Sequence, residues 1–209
     1  MPSAEFKLTY FDSYGLGDPV RYAFAMSGKP WQDNRISYDY YHTIKHDLPQ
    51  NQVPILEVDG RILPQSNAQL RFVGKMAGLY PEDPLEAAFA DAAVDSVADC
   101  FAKFYPYFHE ENEKRKREIF DDLVTTYLPR WLLNMEKTLE AAGGRHFAGD
   151  KISIGDIAVA CRLAWIKEGH VERIPTSLVD PYPLLNVLYD RVNAEPKIMA
   201  YKSSLAARK

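Results

Sequence analysis

Cysteine is scarce: two residues in 209, Cys100 and Cys161. They stand far apart inside helical patterns, and neither belongs to a CxxC pair or neighbours paired histidines. A disulfide framework is excluded, and a reducing, cytoplasmic compartment is expected. Both thiols read as small buried hydrophobes. No stretch of 18 apolar residues occurs, so no segment is expected to span a membrane. The opening MPSAEFKLTYF lacks a basic segment followed by an apolar core and does not read as a secretory signal. Long basic blocks are missing too. The run Glu-Lys-Arg-Lys-Arg-Glu at 113–118 is bracketed by acids and reads as a solvated helix face. With a formal net charge of -4, nucleic acid is not an expected partner. Repeats and low-complexity tracts are absent. What remains is an ordinary globular composition, 46% hydrophobic and 26% charged, in a chain long enough for one large domain or two small ones.

The first third mixes two periodicities. Phe6, Leu8 and Tyr10 alternate with polar or small residues, which predicts a strand. Asp18 and Pro19 suit the N-cap and first turn of a helix, whose apolar face is Val20, Ala23, Phe24 and Ala25 and which Gly28 ends. A second strand fits 31–37 and a weakly helical stretch 40–48. A third strand runs from Val53 to Val58, turns at Asp59–Gly60 and returns over 61–64. Ser66 is placed to cap a helix bearing Leu70, Phe72 and Val73. The order β-α-β-α-β-β-α is the thioredoxin-like plan. The segment GLYPEDP at 78–84 is the clear linker, and strand signals vanish after it. Long helices are expected over 86–111 and 115–141, with a kink at Pro129; others follow over 153–167, 183–194 and 196–205. The fold expected is thus an α/β thioredoxin-like domain over 1–78, a linker over 79–85 and an all-helical bundle over 86–209.

Chemistry concentrates in the first domain. Proline lacks an N–H, so Pro54 near the start of an interior strand needs a reason. Either it marks an edge, or it leaves the backbone of Val53 to pair with an extended peptide ligand. Ser66 at a helix start is either a plain cap or part of a carboxylate site made by unpaired N–H groups and the helix dipole. It follows Gln65, one hairpin after Val53–Pro54, so one site could hold a peptide backbone at one end and a carboxylate at the other. Tyr10, near a strand end, is either a packing aromatic or a phenol that donates to a sulfur and favours thiolate over thiol. In DKISIGD at 150–156, Ser153 and Asp156 form a capping box, with Ile152 and Ile157 as its hydrophobic staple, which reads as folding chemistry.

Together, the KLTYF and GDPVRY segments, the QVPILEVDG and QSNA blocks, the Asp99 region and DKISIGD resemble the glutathione transferase family, and within it the sigma class. The resemblance runs along essentially the whole chain. It implies that Tyr10 activates the glutathione sulfur and that Gln65 and Ser66 grip the γ-glutamyl group. Val53, beside Pro54, would pair with the cysteinyl backbone. Lys45 resembles the lysine near the glycyl carboxylate, and Tyr41 stands where the class usually has tryptophan. Asp99 would reach across a homodimer to the γ-glutamyl amine of the other subunit. Glutathione enters as co-substrate, with no separate cofactor or metal. Candidate walls for an apolar electrophile between the domains are Tyr14, Leu16, Phe104, Tyr105, Tyr107 and Phe108; an aromatic stripe of this kind serves core, pocket or both.

The chain also departs from the class. Tyr14 and Leu16 replace frequent arginines, and Gln52, which the resemblance places in the glutathione site, replaces a frequent lysine. Ala98 interrupts an acidic cluster, leaving Asp95 and Asp99. Gln50 stands where several classes carry an aromatic that keys into the partner subunit. The activity implied is conjugation of glutathione to apolar electrophiles. The alternatives are a non-enzymatic, crystallin-like member of the fold and a glutathione-dependent isomerase of the prostaglandin D synthase kind.

Overall fold

The computed structural model describes residues 4–206. The alternating segment FKLTYF becomes strand β1, Phe6–Phe11, and Gly28 in the left-handed conformation ends helix α1, Asp18–Ser27. Strand β2, Gln32–Ile36, lies parallel to β1, and helix α2, Tyr38–Ile44, follows with Ser37 as its N-cap. Strands β3, Ile55–Val58, and β4, Arg61–Leu63, form the hairpin expected at Asp59–Gly60, where both turn residues have positive φ. β3 runs antiparallel to β1, giving the sheet order β2-β1-β3-β4. Helix α3, Ser66–Ala77, packs on α1. These elements make up the thioredoxin-like fold, cored by Leu8, Val20, Phe24, Leu56, Leu70 and Val73.

The chain divides into two compact units, one formed by residues up to Tyr80 together with those from Asn193 onward, the other by Pro81–Val192. In the first, the final helix α10, Pro196–Ala206, packs back on α1. There Tyr201 donates to Asp33 at 3.2 Å and accepts from Arg35 at 2.8 Å.

The second unit is all helical among its described residues. Helix α4, Pro84–Ala102, is capped by Asp83, whose carboxylate accepts from the Leu85 and Glu86 N–H groups. The single helix expected over 86–111 is broken. After α4 the chain turns through Lys103 and Phe104 and restarts as α5, Tyr105–His109. Pro106 is the cause: it has no N–H to give to the carbonyl of Ala102, and its ring would collide with that carbonyl. The second long helix is also divided, into α6, Glu113–Asp122, and α7, Leu128–Ala141. Between them lies a π-type turn, Leu123–Tyr127, just ahead of Pro129, so the irregularity expected at that proline appears as a widened turn.

Helix α8, Ile154–Lys167, is buried along nearly its whole length. It lies so close to α4 that a Cβ added at Gly155 would sit 3.0 Å from both the Ala90 carbonyl and the Ala93 methyl. The alanines of α4 therefore serve two faces: Ala87, Ala90 and Ala93 are buried within the unit, while Ala88 and Ala92 are exposed. Helix α9, Pro183–Asn193, follows. Both cysteines are buried, and burial pushes the Cys100 thiol up to about 11, so it stays protonated at neutral pH.

Candidate functional site

Three loops of the first unit meet at a small cleft of about 40 Å³. Its walls are Leu16 from the β1–α1 loop, Pro49, Gln50, Gln52, Val53 and Pro54 ahead of β3, and Pro64, Gln65 and Ser66 between β4 and α3. The Val53–Pro54 peptide bond is cis, and the ladder between β1 and β3 begins only at Ile55. Val53 thus borders the cleft from outside the sheet.

A residue that drew no notice in the sequence holds this wall in place. Gln69 is fully buried on α3, and its amide donates to the carbonyls of Pro54 and Leu63, each at 2.9 Å. One side chain thereby ties the proline loop to the end of β4. The available signal was a glutamine on the same helical face as Leu70 and Val73, where an apolar residue is the rule.

The start of α3 differs from expectation by one residue. Gln65, with φ of 69°, is the N-cap, and no side chain caps the helix there; Ser66 is the first helical residue. The positive φ of Gln65 turns the chain before Ser66, which brings the Ser66 backbone N–H among the unpaired donors of the first turn. These donors and the Ser66 side chain stand at the edge of the cleft. The Gln65 side-chain amide donates to that of Gln50.

Tyr10, on β1, is 6% exposed. Its hydroxyl accepts a hydrogen bond from the Leu16 N–H at 3.1 Å, and Leu16 itself lines the cleft. The phenol oxygen is therefore one hydrogen bond away from the cleft wall. Behind it, Arg21 is wholly buried, with its guanidinium 5.4 Å from the centre of the Tyr10 ring. Burial pushes the Asp18 carboxyl above its ordinary range, opposed first by the neighbouring Arg21 charge and then by the Gly15 N–H. Asp18, expected as N-cap of α1, is instead its first residue and accepts from Gly15.

Tyr41 and Lys45 are not part of the cleft wall; Tyr41 is tied to Asn51, which stands between the lining residues Gln50 and Gln52. The Tyr41 hydroxyl donates to the Asn51 carbonyl at 2.8 Å, and the Lys45 ammonium lies 5.9 Å from the Tyr41 ring. A carboxylate that took the Tyr41 proton would have to displace Asn51.

In the helical unit, Asp99 is exposed on α4. Of the aromatic stripe, Phe104 is fully enclosed, edge-on to Trp165 at 4.9 Å. That corrects its place among candidate pocket walls: the chain turn ahead of Pro106 points it into the core. Tyr107 packs on Phe120 at 5.0 Å, whereas Tyr105 and Phe108 are 58% and 46% exposed. In the first unit, Tyr14 and Leu16 are half-buried. Among the described residues, no three histidine, cysteine, aspartate or glutamate side chains gather as metal ligands, and no helix is long and apolar enough to cross a membrane.

A thioredoxin-like unit with a cis-proline cleft, joined in one chain to an all-helical unit, defines the two-part architecture of the glutathione transferases. Residues 98–205 match the family described as Glutathione S-transferase, C-terminal domain. The chain is 34% identical over 197 residues to hematopoietic prostaglandin D synthase of Gallus gallus, covering 94% of each protein. It is 33% identical over 165 residues to glutathione S-transferase 1 of Ascaris suum, covering 77% of this chain and 79% of the relative. Among solved structures, prostaglandin synthase D of Nilaparvata lugens superposes with a TM-score of 0.87 at 32% identity, over 97% of this chain and 98% of the other. The chain belongs to the glutathione transferase family.

Proposed function

We propose that this glutathione transferase binds glutathione in the cleft beside Pro54 and conjugates its sulfur to apolar electrophiles, with Tyr10 as the hydrogen-bond donor to the thiolate. The observation that carries the reading is convergence: the wall formed by Val53 and Pro54, the uncapped start of α3 at Ser66, and Leu16 bonded to the Tyr10 hydroxyl all border one cleft. Val53 offers backbone groups to a cysteinyl residue in the manner of an added strand. The N–H groups of α3, with Gln65, Ser66 and Gln52 around them, suit the carboxylate of the γ-glutamyl end. Lys45 and Tyr41 serve the glycyl carboxylate. Catalysis is then thiolate stabilisation plus proximity, without a covalent enzyme intermediate. Tyr14, Leu16, Tyr105, Tyr107 and Phe108 are the proposed contacts for the electrophile.

The same site serves a second reading, a glutathione-dependent isomerase, favoured by relatives named as prostaglandin synthases. Calorimetric titration with glutathione and a turnover panel of chlorodinitrobenzene, organic peroxides and a prostaglandin endoperoxide separate the readings. Binding without any turnover would leave only a non-enzymatic, crystallin-like role. Ser66→Ala is expected to weaken glutathione binding about 5- to 10-fold, the worth of about 1–1.4 kcal/mol for one lost hydrogen bond. An unchanged dissociation constant would remove Ser66 from the site.

The working form is proposed to be a cytoplasmic homodimer in which Asp99 of one subunit reaches the glutathione of the other. Leu85 and Phe89 on α4 are 64% and 51% exposed, a large apolar surface for one helix. Beside them α4 and α7 border a groove of about 740 Å³ with Phe89, Ala92, Met135 and Ala141 in its walls. Gln50 brings no aromatic ring to such a contact, so helix packing and polar bonds would dominate it. Sedimentation equilibrium at micromolar concentration is expected to give twice the 23.8 kDa chain mass. A fully active species of single mass would strip Asp99 of its role across the interface.

A further inference from the structure

The segment between β1 and α1 does more than connect them. Two of its residues are glycines that the backbone does not require: neither Gly15 nor Gly17 has a positive φ, and Gly17 is right-handed helical with φ of -79° and ψ of -22°. What they make room for is Tyr10. A Cβ at position 15 would lie 2.5 Å from the phenol oxygen, and one at position 17 would lie 2.5 Å from Cδ1 and 2.7 Å from Cγ of the same ring. Between the two glycines, the Leu16 N–H donates to the phenol oxygen at 3.1 Å. The loop therefore covers the ring closely at both ends and presents a donor to its hydroxyl in the middle.

The loop is itself held from behind. Asp18 accepts the Gly15 N–H with one carboxylate oxygen and an Arg21 N–H at 3.2 Å with the other. Arg21 also donates to the carbonyls of Phe11 at 2.9 Å and Ser13 at 3.4 Å, and to Asp33 on β2 at 3.0 Å. One buried guanidinium thus joins the end of β1, the loop, the start of α1 and the neighbouring strand, and its plane borders the Tyr10 ring. A buried ion pair is weak evidence of stability, but hydrogen bonds from one guanidinium to four separate carbonyl and carboxylate groups restrict where it and the loop can sit.

We infer that the loop from Ser13 to Gly17, anchored by Asp18 and Arg21, is a clasp that sets the position and donor strength of the Tyr10 hydroxyl. This rests on the reading that Tyr10 serves the glutathione sulfur. An N–H onto the phenol oxygen favours the charge that gathers there as the hydroxyl shares its hydrogen with a thiolate. It also confines the ring, so the distance from its hydroxyl to the sulfur is set by the loop rather than by rotation about the Cα–Cβ bond. Gly15, Gly17, Asp18 and Arg21 are accordingly positioning residues: they act through Tyr10 and need not touch glutathione.

A double-mutant cycle tests this on the full chain, with Gly15→Ala and Tyr10→Phe singly and together. The clash of an alanine at 15 is with the phenol oxygen alone; the next ring atoms lie at 3.4 and 3.6 Å, ordinary contact distances. Gly15→Ala is therefore expected to cut kcat for conjugation about 10- to 100-fold, the penalty of a misplaced catalytic group, and to move the alkaline rise of the pH–rate profile upward. Glutathione affinity is expected to stay within about two-fold, since little binding is asked of the hydroxyl. In the Tyr10→Phe background the same alanine should cost nothing further in kcat, and any fall in melting temperature caused by Gly15→Ala should be recovered. Equal losses in both backgrounds would overturn the inference, because the glycine would then act through something other than the hydroxyl. Full activity of Gly15→Ala beside an impaired Tyr10→Phe would overturn it as well, leaving the role of Tyr10 intact. Full activity of Tyr10→Phe itself would instead remove the reading on which the inference rests.

Discussion

Replacing Tyr10 with phenylalanine is expected to leave glutathione binding nearly unchanged while lowering the conjugation rate about 10- to 100-fold at neutral pH. The size follows from losing one hydrogen bond to a charged sulfur, worth about 1.5–3 kcal/mol. A thiol with an ordinary pKa near ~8.5 is only a few per cent ionised at neutral pH, so the donor's effect falls directly on the reactive fraction. The pH–rate profile should shift upward, since bound glutathione then ionises at higher pH, and the mutant should regain part of its deficit in alkaline buffer. The ring of Tyr10 is buried, and phenylalanine keeps that packing. The Leu16 N–H does lose its acceptor, which bears on the loop's order more than on the fold. Stopped-flow conjugation against pH, with calorimetric affinities on the same preparations, reads both effects. An unimpaired rate would transfer the role to another hydroxyl on the same loop, Ser13 or Tyr14.

The first unit was legible in the sequence because its signals are local. Alternation in FKLTYF, the Asp59–Gly60 turn and Gly28 at a helix end each fix a conformation within a few residues. The interrupted helices of the second unit were less legible. Apolar spacing continues smoothly through 86–111, and it is Pro106, with no N–H and a ring that crowds the Ala102 carbonyl, that ends α4 at Ala102. Phe104 shows the same limit at the level of a side chain: its type and neighbours suit a pocket as well as a core, and the local chain turn decides.

The candidate site was legible where it rests on single residues with special backbone chemistry, Pro54 and the start of α3. It was not legible where support comes from residues distant in sequence. Gln69 reaches back 15 residues to Pro54, and Arg21 gathers partners from Phe11 to Asp33. Such residues look like misplaced polar groups on apolar faces until the carbonyls and carboxylates they satisfy are in view. Gly15 was hidden differently. Its backbone has no positive φ to mark it, and its missing side chain is what matters.

Asp156→Ala is expected to damage folding severely and to spare the chemistry of the glutathione site. The carboxylate is fully buried. One oxygen accepts the Phe147 N–H at 2.9 Å; the other accepts the Ser153 N–H at 2.7 Å and its hydroxyl at 2.8 Å. In return the Ser153 oxygen accepts the Asp156 N–H at 3.4 Å, completing the capping box. His146 Nδ1 lies 3.6 Å from the same carboxylate, beyond a good hydrogen bond but close enough to feel its charge. Alanine leaves three donors without their acceptor in a region closed to water, beyond the ordinary cost of ~0.5–2 kcal/mol for a lost cap. A loss of about 3–5 kcal/mol is expected, a large share of a typical ~5–15 kcal/mol, with a fall in melting temperature of about 6–20 °C for a chain of this size. Asp156→Asn should lie between wild type and alanine, because it keeps one acceptor oxygen but turns an amide toward donors. The fraction that folds should bind glutathione with near-normal affinity, since Asp156 belongs to the helical unit and the cleft beside Pro54 to the other. Thermal melts and turnover per folded molecule, measured on one preparation, decide the matter. An unchanged melting temperature with lost turnover would make Asp156 a catalytic carboxylate, a role its complete burial argues against.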